Sequence, residues 1–196
     1  MSYRILVFYG SYRRDRAGIR LADYTVRTLT GMGHDVELID AKAVNLPMLD
    51  RMYKEHAPGT APEAMETLAK KIRGADAFVF VVGEYNWGQQ PGLKNLTDHY
   101  LEEFFFRPAA VLSYSAQQAG GARANYAWHG TLSEMGMVVT SSTFTIGPIL
   151  QALDENARPI GASGAYLDNR FPKFVADLLW WTEACKTQHA KAKPPY

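Results

Sequence analysis

Apolar residues fall into two alternating patterns along this chain. Short unbroken apolar runs occupy 3–9 (YRILVFY) and 77–82 (AFVFVV), each followed by glycine. Runs of that length, rich in β-branched and aromatic residues and closed by a turn residue, predict buried strands. Residues 36–39 and 108–113 predict two more strands, and 137–144 a fifth. Between them the apolar spacing turns helical. In 18–29, Ile19, Leu21, Ala22, Val26 and Leu29 share a face, with Gly31 and Gly33 as the stop. Residues 63–73 align Met65, Leu68, Ala69 and Ile72 in the same way. Further helices are predicted over 91–102, opening on Pro91, over 121–135 and over 171–186. Residues 41–62, with Asn45-Leu46-Pro47 and Pro58-Gly59, read as irregular.

Strands alternating with helices predict one doubly wound α/β domain over 1–196, a five-stranded parallel sheet with helices on both faces. Near-continuous apolar strands, covered on both sides, agree with that arrangement. The last ten or so residues are expected to form a loose tail.

Composition narrows the classes. Hydrophobic residues make up 47% and charged residues 21%, enough for one sizeable core. The net charge is +1 with no basic stripe, which argues against nucleic acid. No apolar stretch approaches the ~18 residues of a membrane span, and MSYRILVFYGSYRR lacks the pattern of a signal peptide. No membrane association and a cytoplasmic setting are therefore expected. The one cysteine, Cys185, leaves no intrachain disulfide and no thiolate metal cage; it reads as a core thiol. The five histidines lack metal-ligand spacing, and His99 beside Tyr100 reads as a packing or partner-contact residue.

In an open α/β sheet, ligands sit beyond the carboxyl ends of the strands where the winding reverses. Three loops there carry candidate chemistry. The first, 10–18, leads into a helix, where backbone N–H groups attract phosphate. Ser11 can donate a hydroxyl, Arg13 and Arg16 charge-assisted bonds, and Gly18 permits close approach. Its glycines spell neither G-x-G-x-x-G nor a P-loop, so a terminal monophosphate fits better than a dinucleotide pyrophosphate. The alternative is a solvated polar turn. The second loop, 83–92, offers Tyr85 and Trp87 as apolar faces for a flat heteroaromatic ring, and Asn86 with backbone amides for its polar edge. Those aromatics could equally pack on the core or on a neighbouring subunit. The third, 113–121, contains Ser115, Gln117 and Gly120 and runs into the helix carrying Arg123. Small residues there allow close backbone approach to a ligand edge, and alone they make only a flexible turn.

Taken in order, Gly10-Ser11-x-Arg13-x-x-Arg16-x-Gly18, Glu84-Tyr85-Asn86 running into Pro91-Gly92-x-Lys94-Asn95-x-x-Asp98, and Gly120-Gly121-x-Arg123-Ala124 resemble the NADPH-dependent FMN reductase family. That family includes quinone, azo-dye and chromate reductases and has the flavodoxin-like fold. The resemblance covers residues 3 to about 155. It implies that Ser11, Arg13, Arg16, Gly18 and Ile19 hold the FMN phosphate. Glu84, Tyr85, Asn86, Trp87 and Gly88 would line the ring, and Ser115, Gln117 and Gly120 its pyrimidine side or ribityl chain. Arg16 and Gly18 stand where many members carry Ser and Asn, Glu84 where many carry Pro, and Gln117 and Gln118 where many carry Gly.

The implied activity is hydride transfer from NADPH or NADH to FMN, then electrons onward to free flavin, a quinone or another small acceptor, with no side-chain nucleophile. A flavodoxin-like electron carrier and a non-catalytic flavin-binding protein are the alternatives. A homodimer or homotetramer is expected, from the family and from Phe104, Phe105 and Phe106 beside Tyr100; the same phenylalanines could instead simply enter the fourth strand. A partner monooxygenase receiving reduced FMN is a further implication of the resemblance.

Overall fold

A computed structural model describes residues 1–196. β1 (Arg4–Tyr9) lies between β2 (Asp35–Asp40) and β3 (Ala77–Gly83), and β4 (Pro108–Tyr114) follows β3. All pairs are parallel, in the order β2-β1-β3-β4, with β5 (Val138–Val139) beyond β4. The chain steps from β1 to one side and returns to the other, so the winding reverses between β1 and β3. This is the flavodoxin-like order, with its crevice at that reversal. Tyr9 pairs with Asp40 and Val81, and Gly83 with Tyr114, so the loops all leave from one edge.

Six strands form rather than five, because the fifth lane is split. β5 (Val138–Val139) pairs the start of β4, and β6 (Phe144–Ile146) pairs its end. Between them, polar side chains replace the ladder. Thr143 Oγ1 donates to the Val111 carbonyl (2.5 Å) and the Ser142 N–H donates to Asp177 (2.7 Å). Ser and Thr compete with regular pairing in this way.

α1 (Ile19–Gly31) and α7 (Gly161–Lys191) cover one face, over Ile5, Val7, Val79 and Val81. α3 (Glu63–Arg73), α4 (Pro91–Asp98) and α5 (Ala122–Glu134) cover the other, over Leu6, Phe8, Phe78 and Phe80, with Trp128 stacked on Phe80 at 5.9 Å. Short helices α2 (Ala41–Val44) and α6 (Ile149–Ala152) complete the chain, the former inside the stretch read as irregular. No helix is long and apolar enough to cross a membrane.

Three boundaries differ from the sequence reading. α7 starts ten residues earlier, since Gly164 seats it on α6, where a Cβ would lie 2.6 Å from the Ala152 carbonyl. It runs to Lys191, leaving five residues beyond it, and the Tyr196 ring lies 4.8 Å from that of Phe106. α4 ends at Asp98 because the next carbonyl, that of His99, accepts from the Tyr53 N–H (2.7 Å). A 3₁₀ turn (Glu102–Phe104) then drops Phe104 against Phe78 at 5.1 Å. Tyr100 and Phe104 are thus core residues, and of that aromatic cluster only the half-buried Phe105 and Phe106 remain outside. His99 is likewise buried, its Nδ1 2.7 Å from the Asn95 carbonyl.

Gly18 opens α1 over the ring of Tyr114, which a Cβ at that position would overlap. Its φ of −65° suits any residue, so the constraint is steric alone. Gly18→Ala should therefore destabilise by about 1–3 kcal/mol in urea unfolding without ligand. In a Tyr114→Leu background the same change should cost measurably less. A neutral or stabilising Gly18→Ala would contradict this packing.

Candidate functional site

The three loops meet at the carboxyl edge through side-chain bonds. Ser11 is buried, and its Oγ lies 2.9 Å from the Tyr85 hydroxyl, joining the first loop to the second. Beneath them, Tyr114 Oη donates to Tyr9 Oη (3.4 Å) and accepts from Gln90 Nε2 (2.9 Å). Burial pushes both phenols' pKa up, so each stays a neutral hydrogen-bonding group at physiological pH. The third tie is Glu84, whose carboxylate accepts from the Arg123 backbone N–H (3.0 Å) and Nη1 (3.2 Å). It thereby caps α5 and pins the second loop against the third.

The second loop is a tight hairpin. Tyr85 and Gly88 exchange both backbone bonds, leaving Asn86 (φ 48°) and Trp87 (φ 68°) at its tip. Two successive positive φ values are the signature of a type I′ turn, comfortable for Asn and uncommon for Trp. The strain is offset from outside, since the Arg123 guanidinium sits 4.2 Å from the Trp87 ring centre. Trp87 remains 71% exposed. Backbone held in such a conformation is frequent at ligand sites.

In the first loop the arginines diverge. Arg16 is already committed, its Nη1 2.7 Å from Asp40 and 3.3 Å from the Ser11 carbonyl. It holds the loop in place. Arg13 is exposed, and its guanidinium has no partner in the chain. The Ile19, Arg20 and Leu21 N–H groups already bond to the Arg16, Ala17 and Gly18 carbonyls, so free donors are not in the helix itself. They lie just before it: the N–H groups of Tyr12, Arg14, Asp15 and Arg16 find no acceptor in the chain. Gly18 faces Tyr114 rather than a cleft.

Beside this loop opens a cleft of about 460 Å³, lined by Gly10, Tyr12, Arg13, Tyr85 and Pro91, with Leu46 and Met48 across from them. Asn95 shapes it. Its Oδ1 accepts from the Leu49 N–H and its Nδ2 donates to the Pro47 carbonyl, each at 2.8 Å. That pair staples the 46–49 strap to α4. The third loop contributes least. Ser115 and Gln117 are engaged with each other in a local turn, Gln117 is exposed, and Gly120 (φ 58°) is packed on Thr145 and Ile146.

This donor set fits FMN. Unsatisfied backbone N–H groups beside a free guanidinium suit a terminal phosphate, and an aromatic cleft suits a flat ring. Gln90 adds a further sign: it is fully buried, yet its Oε1 has no donor. A buried unpartnered amide oxygen calls for a hydrogen-bond donor from outside the chain. Sequence reading missed Tyr9, Gln90, Tyr114 and Asp40. All four stand at strand ends or loop closures, the positions that the carboxyl-edge rule marks.

Comparison with known proteins agrees. Residues 3–151 match the NADPH-dependent FMN reductase family. An NAD(P)H-dependent FMN reductase of Saccharomyces cerevisiae is 25% identical over 134 residues, 62% of this chain and 69% of that one. A quinone reductase of Escherichia coli is 29% identical over 148 residues, 74% of this chain and 72% of its own. Among solved structures, FerB, a flavoenzyme NAD(P)H:(acceptor) oxidoreductase of Paracoccus denitrificans, has a TM-score of 0.71 at 22% identity, covering 90% of this chain and 97% of that one. At that identity the likeness speaks for the fold. The family match runs through all three loops, from β1 to α6, and on it this chain belongs to the NADPH-dependent FMN reductases.

Proposed function

We propose that this oxidoreductase holds the FMN phosphate in the 10–18 loop and the ring against the 84–88 hairpin, and that it moves electrons from NAD(P)H to a small planar acceptor. One observation carries the reading: a loop with free N–H groups and an unpaired Arg13 is tied directly to the aromatic hairpin by the 2.9 Å Ser11–Tyr85 bond. FMN, when bound, supplies the hydride and electron chemistry.

The chain supplies position and charge. Arg13 offers a forked donor to phosphate, with the N–H groups of Tyr12, Arg14, Asp15 and Arg16 around it. Arg16, tied to Asp40, fixes the loop's height over the sheet. Asn86 and the hairpin backbone face the ring's polar edge, while Glu84 and Arg123 keep the hairpin from drifting. Gln90, buried beneath the loops, holds the Tyr114 hydroxyl through its Nε2 (2.9 Å) and so supports the floor of the site. Ser115, Gln117 and Gly120 bound the far side. The cleft framed by Tyr12, Leu46 and Met48 is open and largely apolar, which suits a quinone-sized acceptor or a nicotinamide. The exposed Trp87 and the 84% exposed Tyr126 on α5 are apolar surface that a second copy would cover, in a homodimer or homotetramer.

Arg13→Ala should weaken FMN at least tenfold in a fluorescence-quenching titration, with the urea midpoint unmoved because the Arg13 side chain is exposed and makes no hydrogen bond or ion pair in the chain. Unchanged affinity would remove the phosphate assignment. In anaerobic stopped flow, the flavin band near 450 nm (roughly, a flavin property) should bleach rapidly with NADPH or NADH and return on adding a quinone. Bleaching too slow to sustain turnover would favour an electron carrier instead.

A further inference from the structure

A second cavity, of about 670 Å³, opens at the amino edge of the sheet, opposite the loops just described. Its size falls among small-molecule sites, which run ~300–1,000 Å³. Its floor is Arg107, the residue before β4. Arg107 Nη1 donates to the Ala75 carbonyl (3.0 Å) and to that of Ile72, and the guanidinium lies 5.1 Å from the Phe78 ring centre. The fork is thus held rigidly, while Nε and Nη2 have no acceptor in the chain and remain reachable from outside.

The two carboxylates nearest it are engaged elsewhere. Asp76 is taken by Lys186 (2.7 Å) and by the Arg4 N–H (2.9 Å), and Glu103 by Arg73 (2.7 Å). Burial outweighs both of those carboxylates and brings the Arg107 pKa down to about 10. Lys186 of α7 adds a cation on one wall, beside His189, whose Nε2 donates to the Phe106 carbonyl (3.1 Å). Phe105 and Tyr196, 5.3 Å apart and edge to face, make the other wall apolar. Glu102 at the rim is exposed and has no cationic partner, which stands against a multiply charged ligand.

We propose that this cavity binds a small planar aromatic monocarboxylate, its carboxylate on the Arg107 fork with the Asp76-paired Lys186 beside it, and its ring against Phe105 and Tyr196. The site is separate from the electron-transfer chemistry. Arg107 precedes the strand whose far end carries the third loop, and seven residues of strand span roughly 20 Å. Bidentate recognition of a carboxylate is what a preorganised guanidinium does best.

The test is calorimetric titration of the FMN-loaded full chain with 2-naphthoate, using 2-naphthol as the neutral isostere. One-to-one binding with Kd on the order of 0.1 mM is expected, and 2-naphthol should bind at least about tenfold more weakly. Lys186→Glu should weaken 2-naphthoate about tenfold or more while FMN affinity stays constant. Arg107→Lys keeps the charge and loses the fork, so it should also weaken binding without unfolding the chain. The proposal is overturned by no saturable binding up to about 5 mM, by equal affinity for the acid and the alcohol, by indifference to Lys186→Glu, or by displacement of 2-naphthoate when a quinone acceptor is added.

Discussion

The carboxyl edge works because its loops are bonded to one another before any ligand arrives. Parallel pairing brings the ends of β1, β3 and β4 to one level, and the Tyr9–Tyr114–Gln90 chain then locks them side by side. Above that layer, Ser11 holds Tyr85 and Arg123 holds Glu84. Each neutral bond contributes only about 1 kcal/mol net, but breaking one strands its buried partner, at a cost of ~1–3 kcal/mol. The loops therefore hold their spacing together, which is the preorganisation a cofactor cleft needs.

The same view explains what the family-like residues do. Several of them tie the loops together. Arg16 binds Asp40, Gly18 makes room for Tyr114, and Asn95 staples the 46–49 strap. Lys94 pairs with Asp98 within α4, and Arg123 braces both Glu84 and Trp87. What is left without a partner in the chain is a smaller set: the Arg13 guanidinium, the loop N–H groups ahead of α1 and the hairpin tip.

Much of the fold was legible in the apolar pattern. β3 is apolar at every position and buried throughout, and α3 shows its core face residue by residue. The failures have local causes. The fifth lane broke where the Ser141 and Thr143 hydroxyls and the Asp177 carboxylate, which accepts from the Ser142 N–H, offered bonds in place of the ladder. The start of α7 was hidden by Gly161, Gly164 and Pro172, residues that read as breakers; Gly164 is there because α6 lies too close for a side chain. The site loops could be located from the strand ends, but the partner of each side chain could not be read. Asp40 is 24 positions from Arg16, and Tyr114 is 105 from Tyr9. Only the closed sheet brings them into reach.

If the arginine-flanked loop is a phosphate cradle, the phosphate should dominate recognition, since ring and ribityl chain are common to FMN and riboflavin. Parallel titrations of the two flavins into the same apoprotein measure that contribution directly. FMN should bind at least about a hundredfold more tightly than riboflavin, and equal affinities would contradict a phosphate cradle.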